Sequence, residues 1–306
     1  MLALECVISN PMADVQTSPA PAGIPPDYEI HIEARTGWLR VNWRELWDYR
    51  DLLFVLVRRD FLAKYKQTVL GPLWFILQPL LNTLVFTVVF NKVAGIETGG
   101  IPPTLFYLCA LLPWGYFAQN VTTGALTFTA NAHLFGKVYF PRLVVPISTV
   151  LSNLFALVLQ FAVFFAFAVW FVLRGSSVHL GATMLLAIPL LLITAVLSLG
   201  LSLLISASTA KYRDLTHLTP ILLQLWMFAT PVIYPLAKLT GGDGRWAWIA
   251  WMNPMAPVVE GFRFALLGKG IWNSTMLCSA ASASALVLLL GVIAFGRAER
   301  TVTDSA

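Results

Sequence analysis

Long apolar blocks alternate with shorter polar ones along this chain. The six blocks lie near residues 69–90, 105–128, 144–172, 182–206, 215–236 and 275–295. A helix needs about 20 apolar residues to cross the ~30 Å hydrocarbon core of a bilayer, and each block supplies them. Strict apolar–polar alternation, the mark of a membrane barrel strand, is absent. The pattern therefore predicts an all-α integral membrane protein with six transmembrane helices.

Three segments between the blocks have their own patterns. Ahead of the first block, Trp43, Leu46, Trp47, Leu53, Phe54 and Val57 fall mostly at steps of three and four, with Arg44, Asp48, Asp51, Arg58 and Arg59 mostly between them. This spacing predicts an amphipathic helix lying in the membrane interface, either as an anchor or as a collar against a cytoplasmic partner. Between the second and third blocks, Asn131, His133 and Lys137 are interleaved with Leu134, Phe135, Val138, Tyr139 and Phe140 before Pro141. A short helix with exposed apolar residues either packs on its own bundle or enters a groove on a partner. Residues 238–272 carry Trp246, Trp248, Trp251 and Trp272, with Asn253-Pro254 and Pro257 as breaks. Two short re-entrant or interfacial helices fit, since tryptophan favours the interface.

Charge adds direction. With a cytoplasmic N-terminus, fourteen Lys and Arg residues fall on the inner side, eight of them ahead of the first block, and six on the outer side. The positive-inside rule then gives N-in and C-in. Composition agrees: 58% of residues are hydrophobic and 11% charged, against about 25% charged in a soluble domain. The net charge of +5 thus points to a membrane surface rather than to nucleic acid. Three cysteines in 306 residues do not make a disulfide scaffold. Cys109 and Cys278 read as buried small apolar residues near outer span ends rather than as a disulfide. Residues 1–9 lack the features of a signal peptide, Met12 is a second candidate start, and the prolines at 19, 21, 25 and 26 suggest a flexible lead-in.

No Lys, Arg, Asp or Glu lies inside any of the six blocks. Ion-coupled transporters and membrane-embedded hydrolases usually need ionisable groups at depth. The pairs Gly136-Lys137 and Gly268-Lys269 lack the preceding glycine of a phosphate-cradling loop. The pattern is that of a conduit whose energy comes from a partner chain.

The run from Arg58 through Asp60, Lys64, Lys66, Gly71 and Pro72 to Trp74 resembles the transmembrane subunit of ABC-2 type exporters, most closely the O-antigen and lipopolysaccharide polysaccharide permeases. Tyr212-Arg213-Asp214-Leu215, Thr230-Pro231-Val232-Ile233-Tyr234-Pro235, and Met252-Asn253-Pro254-Met255 followed by Arg263 are similar as well. The likeness runs from about residue 43 to 295. It implies an ABC-2 type transmembrane domain over 41–297; the first 40 residues lie outside it and read as a flexible cytoplasmic segment, and 298–306 as a short cytoplasmic tail.

The resemblance further implies a multi-pass protein of the bacterial inner membrane. It would pair with a second copy of itself and two ATP-binding cassette subunits, to move a lipid-linked polysaccharide outward. No cofactor would belong to this chain; ATP and Mg would sit on the partner. Asn131, His133, Leu134, Phe135, Lys137 and Tyr139 match the helix that docks on the ATPase. Arg58, Arg59 and Lys64 lie where an interface helix could meet the lipid pyrophosphate. Trp74, Trp226, Phe228, Tyr234, Trp246, Trp248 and Trp251 are candidate channel or gate aromatics, since aromatic faces stack on sugar rings without needing charge. Capsule and teichoic-acid permeases look alike at this level. A small-molecule or lipid ABC-2 exporter, and an enzyme acting on lipid-linked sugars, are the rivals.

Overall fold

The computed structural model describes residues 43–64, 66, 68–135, 140–176, 181–237 and 247–303, and every regular element among them is helical. The segment 1–40 lies outside the described residues, as do the last three of the expected tail. In order the helices are α1 (Trp43–Asp48), α2 (Arg50–Ala63), α3 (Trp74–Phe86), α4 (Pro103–Ala125), α5 (Thr127–Ala130) and α6 (Ala132–Phe135). They continue with α7 (Val144–Leu173), α8 (Ala187–Thr209), α9 (Leu215–Ala229), α10 (Ala247–Met252), α11 (Met255–Leu267) and α12 (Ser274–Thr303). α3 runs on through a π-helical turn over Thr87–Val93, and α8 is led in by a 3-10 turn over Ala182–Leu186.

Four helical runs among the described residues are long and apolar enough to cross a membrane: Trp74–Val93, Val144–Leu173, Ala182–Thr209 and Ser274–Glu299. The other two expected spans differ for separate physical reasons. α4 has 23 residues, ample length, but it carries Tyr107, Tyr116, Gln119 and Asn120, and sixteen of its residues are buried. It is the shaft of the fold, packed by α3, α7, α8, α9 and α11, so Tyr107, Tyr116 and Asn120 are buried in protein, while Gln119 stays exposed and bonds Thr123 of its own helix. α9 stops at Ala229 after 15 residues, about 22 Å at 1.5 Å per residue. Pro231 explains the stop: the residue before a proline is pushed out of the helical region, and Thr230 takes φ −100° and ψ 142°.

Prolines behave differently elsewhere. Asn253-Pro254 separates α10 from α11 as the pattern suggested, but Pro257 does not break anything. It sits in the first turn of α11, where a missing N–H costs no helical hydrogen bond. Gly71 takes φ +51°, a conformation side chains resist, and turns the chain from α2 into α3.

The most extensive helix pair is α8 with α12. Their backbones touch at Gly200 and Gly291, where a Cβ on either would overlap the other helix's backbone. Small residues at such crossings let two helices approach closely.

The bundle has two distinguishable ends. At one, Thr209 Oγ1 donates to Ala125 O at 2.7 Å, and Arg142 Nη1 donates to Glu299 O at 3.2 Å. α4, α8 and α12 finish there, and α7 begins. At the other, Lys269 Nζ donates to Gly100 O at 3.0 Å, and Thr183 Oγ1 to Ala265 O at 3.1 Å. Lys64, Arg142, Lys211, Arg213 and Arg297 belong to the first end by chain position, and Lys92, Arg174 and Lys269 to the second. Cys109 is buried in α4 as expected, but Cys278, expected to be buried, is exposed on α12.

Candidate functional site

The first end carries the polar chemistry. α2 is amphipathic, and Leu52, Leu53 and Leu56 pack against Phe140, Val144 and Val145 at the start of α7. Trp47 and Phe54, each 70% exposed, face away. Tyr49 interrupts the helix, so the expected interface element consists of two pieces, α1 and α2. This packing carries the end of α2 over the bundle, beside α4 and α7.

A cavity of about 220 Å³ opens there. Its walls include Arg59, Asp60 and Lys64 from α2 and its cap, Thr123 from α4, Asn131 beyond α5, and Thr149 and Ser152 from α7. Arg59 donates to Asp60 Oδ1 from Nε at 3.0 Å and from Nη2 at 2.8 Å. Arg58 is exposed on α2 and does not line the cavity.

Lys64 turns inward. Its ammonium donates to Asn153 Oδ1; Asn153 Nδ2 donates to Asn120 Oδ1 at 2.7 Å; Asn120 Nδ2 donates to Ser198 Oγ at 3.0 Å. Ser198 in turn donates to Ala195 O at 3.0 Å. The chain crosses α7, α4 and α8 with every donor pointing the same way. Burial lowers the Lys64 pKa, while the negative charge of Asp60 pulls it upward by less. Polar residues inside a helix bundle are tolerated when they bond across helices in this manner.

Asn131 and Phe135, two residues of the expected docking segment, pack on their own bundle. Asn131 Nδ2 donates to Thr127 O at 3.0 Å. The Phe135 ring lies 6.1 Å from Phe128 and 5.7 Å from Phe140, with the Arg142 guanidinium 5.2 Å from its centre. His133 and Leu134 belong to α6, while Lys137 and Tyr139 lie outside the described residues.

The opposite end holds the aromatics and an ion pair that the chain pattern did not signal. Trp226 points into the bundle: its Nε1 donates to Asn253 Oδ1 at 3.1 Å, and its ring meets Phe117 edge-on at 5.3 Å. Tyr234 donates to Phe228 O at 3.1 Å, closing the turn after α9. Phe228, Trp248 and Trp251 are exposed, Trp246 lies outside the described residues, and Trp74 is exposed not here but at the start of α3, at the first end, where its neighbour Phe75 stacks on Phe61 of α2.

Beneath that turn, Arg263 is 1% exposed and Glu260 3%. Arg263 donates to Glu260 Oε2 at 2.9 Å, to Val232 O at 2.8 Å and to Tyr234 O at 3.3 Å, and lies 3.7 Å from the Phe106 ring centre. Both lie within residues 238–272, an expected outer segment in which a charge would ordinarily meet solvent. Their spacing of three within one helix was the available clue.

A family model described as ABC-2 type transporter matches residues 51–267. The chain belongs to the ABC-2 type transporter family. Among the relatives of this ABC-2 chain is the O-antigen export system permease protein RfbA of Myxococcus xanthus, 32% identical over 247 residues, which are 80% of this chain and 91% of that protein. A Klebsiella pneumoniae RfbA is 28% identical over 81% of this chain and 92% of its own length. The polysialic acid transport protein KpsM of Escherichia coli is more distant, at 25% identity over 82% of this chain and 94% of its own. Membership of the ABC-2 family, with four long apolar helices, makes this a multi-pass membrane protein. It also implies pairing with an ATP-binding cassette subunit.

Proposed function

We propose that this ABC-2 chain is the permease subunit of an ATP-driven exporter of lipid-linked O-antigen-type polysaccharide in the bacterial inner membrane. The observation that carries the reading is the match to the Myxococcus RfbA over nine-tenths of that protein's length. In this reading the chain performs no chemistry itself. Two copies form the conduit, and two ATP-binding cassette subunits, which hold ATP and Mg, drive it. α4 and α9 join the four long helices as membrane-embedded elements with both termini cytoplasmic; the concentration of basic residues at the first end supports that orientation. α10 and α11 form an external gate.

The segment 131–139 docks on the ATPase, with Phe135 as its root in the bundle. Arg59 and Lys64, with Arg58 nearby, receive the carrier's pyrophosphate. Sugar rings slide over exposed aromatics such as Trp74, Phe228, Trp248 and Trp251. A capsule-type polymer is the second reading, favoured by the likeness to KpsM.

The test combines isolation with genetics. The chain should co-purify with an ATPase in a two-to-two complex, and its deletion should strip surface polysaccharide while lipid-linked polymer accumulates inside. A deletion strain with normal surface polysaccharide would end the reading.

A further inference from the structure

The cavity at the first end holds one donor with nothing to bind. Ser152, 1% exposed on α7, has no hydrogen-bond partner for its hydroxyl among the described residues, and it lines the cavity. Its neighbours there are already committed: Thr149 donates to Val145 O at 3.2 Å and Thr127 to Gly124 O at 2.7 Å. A buried hydroxyl left unmatched is costly, and of the buried side chains without a partner among the described residues Ser152 is the one that lines this cavity, where a ligand would satisfy it.

Lys64 offers more. An ammonium has three N–H groups, and one goes to Asn153. The others are available to the cavity that Lys64 lines. Asn153 is itself held by Asn120, and Asn120 by Ser198, so the lysine is anchored through three helices rather than waving from a surface. Because Arg59 and Asp60 neutralise one another at 2.8 Å, Lys64 supplies the net charge of the wall. Burial disfavours that charge, and a bound anion would offset the penalty.

We propose that this cavity is a diphosphate site in which Ser152 and Lys64 donate directly to the ligand, and that Asn153 and Asn120 are positioning residues that aim Lys64. The proposal rests on the export reading for its natural ligand, a diphosphate joined to a polyprenyl tail. It adds the residues that distinguish that headgroup from other lipids. One wall comes from Asn131, beside the segment assigned to ATPase docking, so a filled cavity bridges α2 and that segment.

The experiment uses the full chain in nanodiscs of neutral phosphatidylcholine. A fluorescent polyprenyl diphosphate and the polyprenol of the same length are the probes. The diphosphate should bind at least tenfold tighter than the alcohol. Ser152→Ala should weaken the diphosphate about tenfold, leave the alcohol unchanged and leave the thermal midpoint near wild type. Lys64→Met should abolish the discrimination, and Lys64→Arg should restore part of it.

Asn153→Ala should weaken the diphosphate in the wild-type background but add little to Lys64→Met, because a positioning residue has nothing left to aim. Full additivity would overturn the positioning role. Equal binding of the two probes, or a Ser152→Ala chain that binds like wild type, would overturn the site itself. Either failure leaves export intact, since export is read from surface polysaccharide. Competition by inorganic pyrophosphate at matching concentrations would support the site but assign it to a soluble diphosphate. Displacement by phosphatidylglycerol would overturn the diphosphate assignment.

Discussion

Replacing Arg263 with methionine isolates the energetics of the buried ion pair. The substitution roughly preserves volume but removes three hydrogen bonds, to Glu260 and to the carbonyls of Val232 and Tyr234. Glu260 is left 3% exposed, and among the described residues only the Ile271 N–H at 3.4 Å answers it. Breaking a buried pair from one side costs about 3–5 kcal/mol, because the surviving charge is uncompensated. At ~2–4 °C per kcal/mol for a chain of a few hundred residues, the thermal midpoint should fall by about 6–20 °C.

The double variant Glu260→Leu with Arg263→Met removes the stranded charge. Two carbonyls remain unmatched at ~1 kcal/mol each, so it should lie within about 2 kcal/mol of wild type. The assay is unfolding of the purified full chain in nanodiscs, with maleimide labelling of Cys109 as a local reporter. Cys109 is fully buried beside this site, and its labelling should accelerate in the single variant and recover in the double. A single variant that unfolds within a degree or two of wild type, or a double variant that falls as far as the single, would refute the reasoning.

Other expectations follow from the same geometry. Gly291→Val drives a side chain into the Gly200 backbone and should cost ~1–3 kcal/mol or more, seen as lost monodisperse yield; Gly296→Ala, which meets open space, should be silent. Pro231→Ala removes the block on the helical region at Thr230, so α9 should lengthen and amides near residue 231 should exchange more slowly. Lys64 has a folded-state pKa below its ordinary 10.5, so the unfolded chain binds more protons in the window between the two. Wild-type stability relative to Lys64→Met should therefore rise with pH as 10.5 is approached from below, and a flat difference across that window would contradict the burial of the ammonium.

The chain's apolar blocks were a reliable guide where a helix runs uninterrupted in a mostly apolar stretch, as in α7, α8 and α12. They overran at residues 230–236, although Pro231 was in plain view, because hydropathy continues past the point where backbone sterics end the helix. Pro257 produced the opposite error, since a proline's effect depends on its place in the turn. Arg59 and Lys64 could be named in advance as interface cations, but their cavity could not. The lysine in its wall is held through Asn153 and Asn120, which lie 33 positions apart and meet only through packing. Two asparagines in otherwise apolar blocks were a usable hint, as polar groups at membrane depth seek partners. Glu260 and Arg263 stayed hidden because charges in an outer segment normally mean solvent.

The burial of α4 has a consequence for how the chain is made. A growing polypeptide delivers α4 before α7, α8, α9 and α11, the helices that shield its polar residues. Until they emerge, Asn120 has neither Asn153 nor Ser198 to bind. The hydrocarbon offers such a side chain no substitute. Newly made α4 should therefore linger beside the insertion machinery, and site-specific crosslinks from α4 to that machinery should persist until about residue 209 has emerged. Release soon after residue 125 would show that α4 is content in lipid alone.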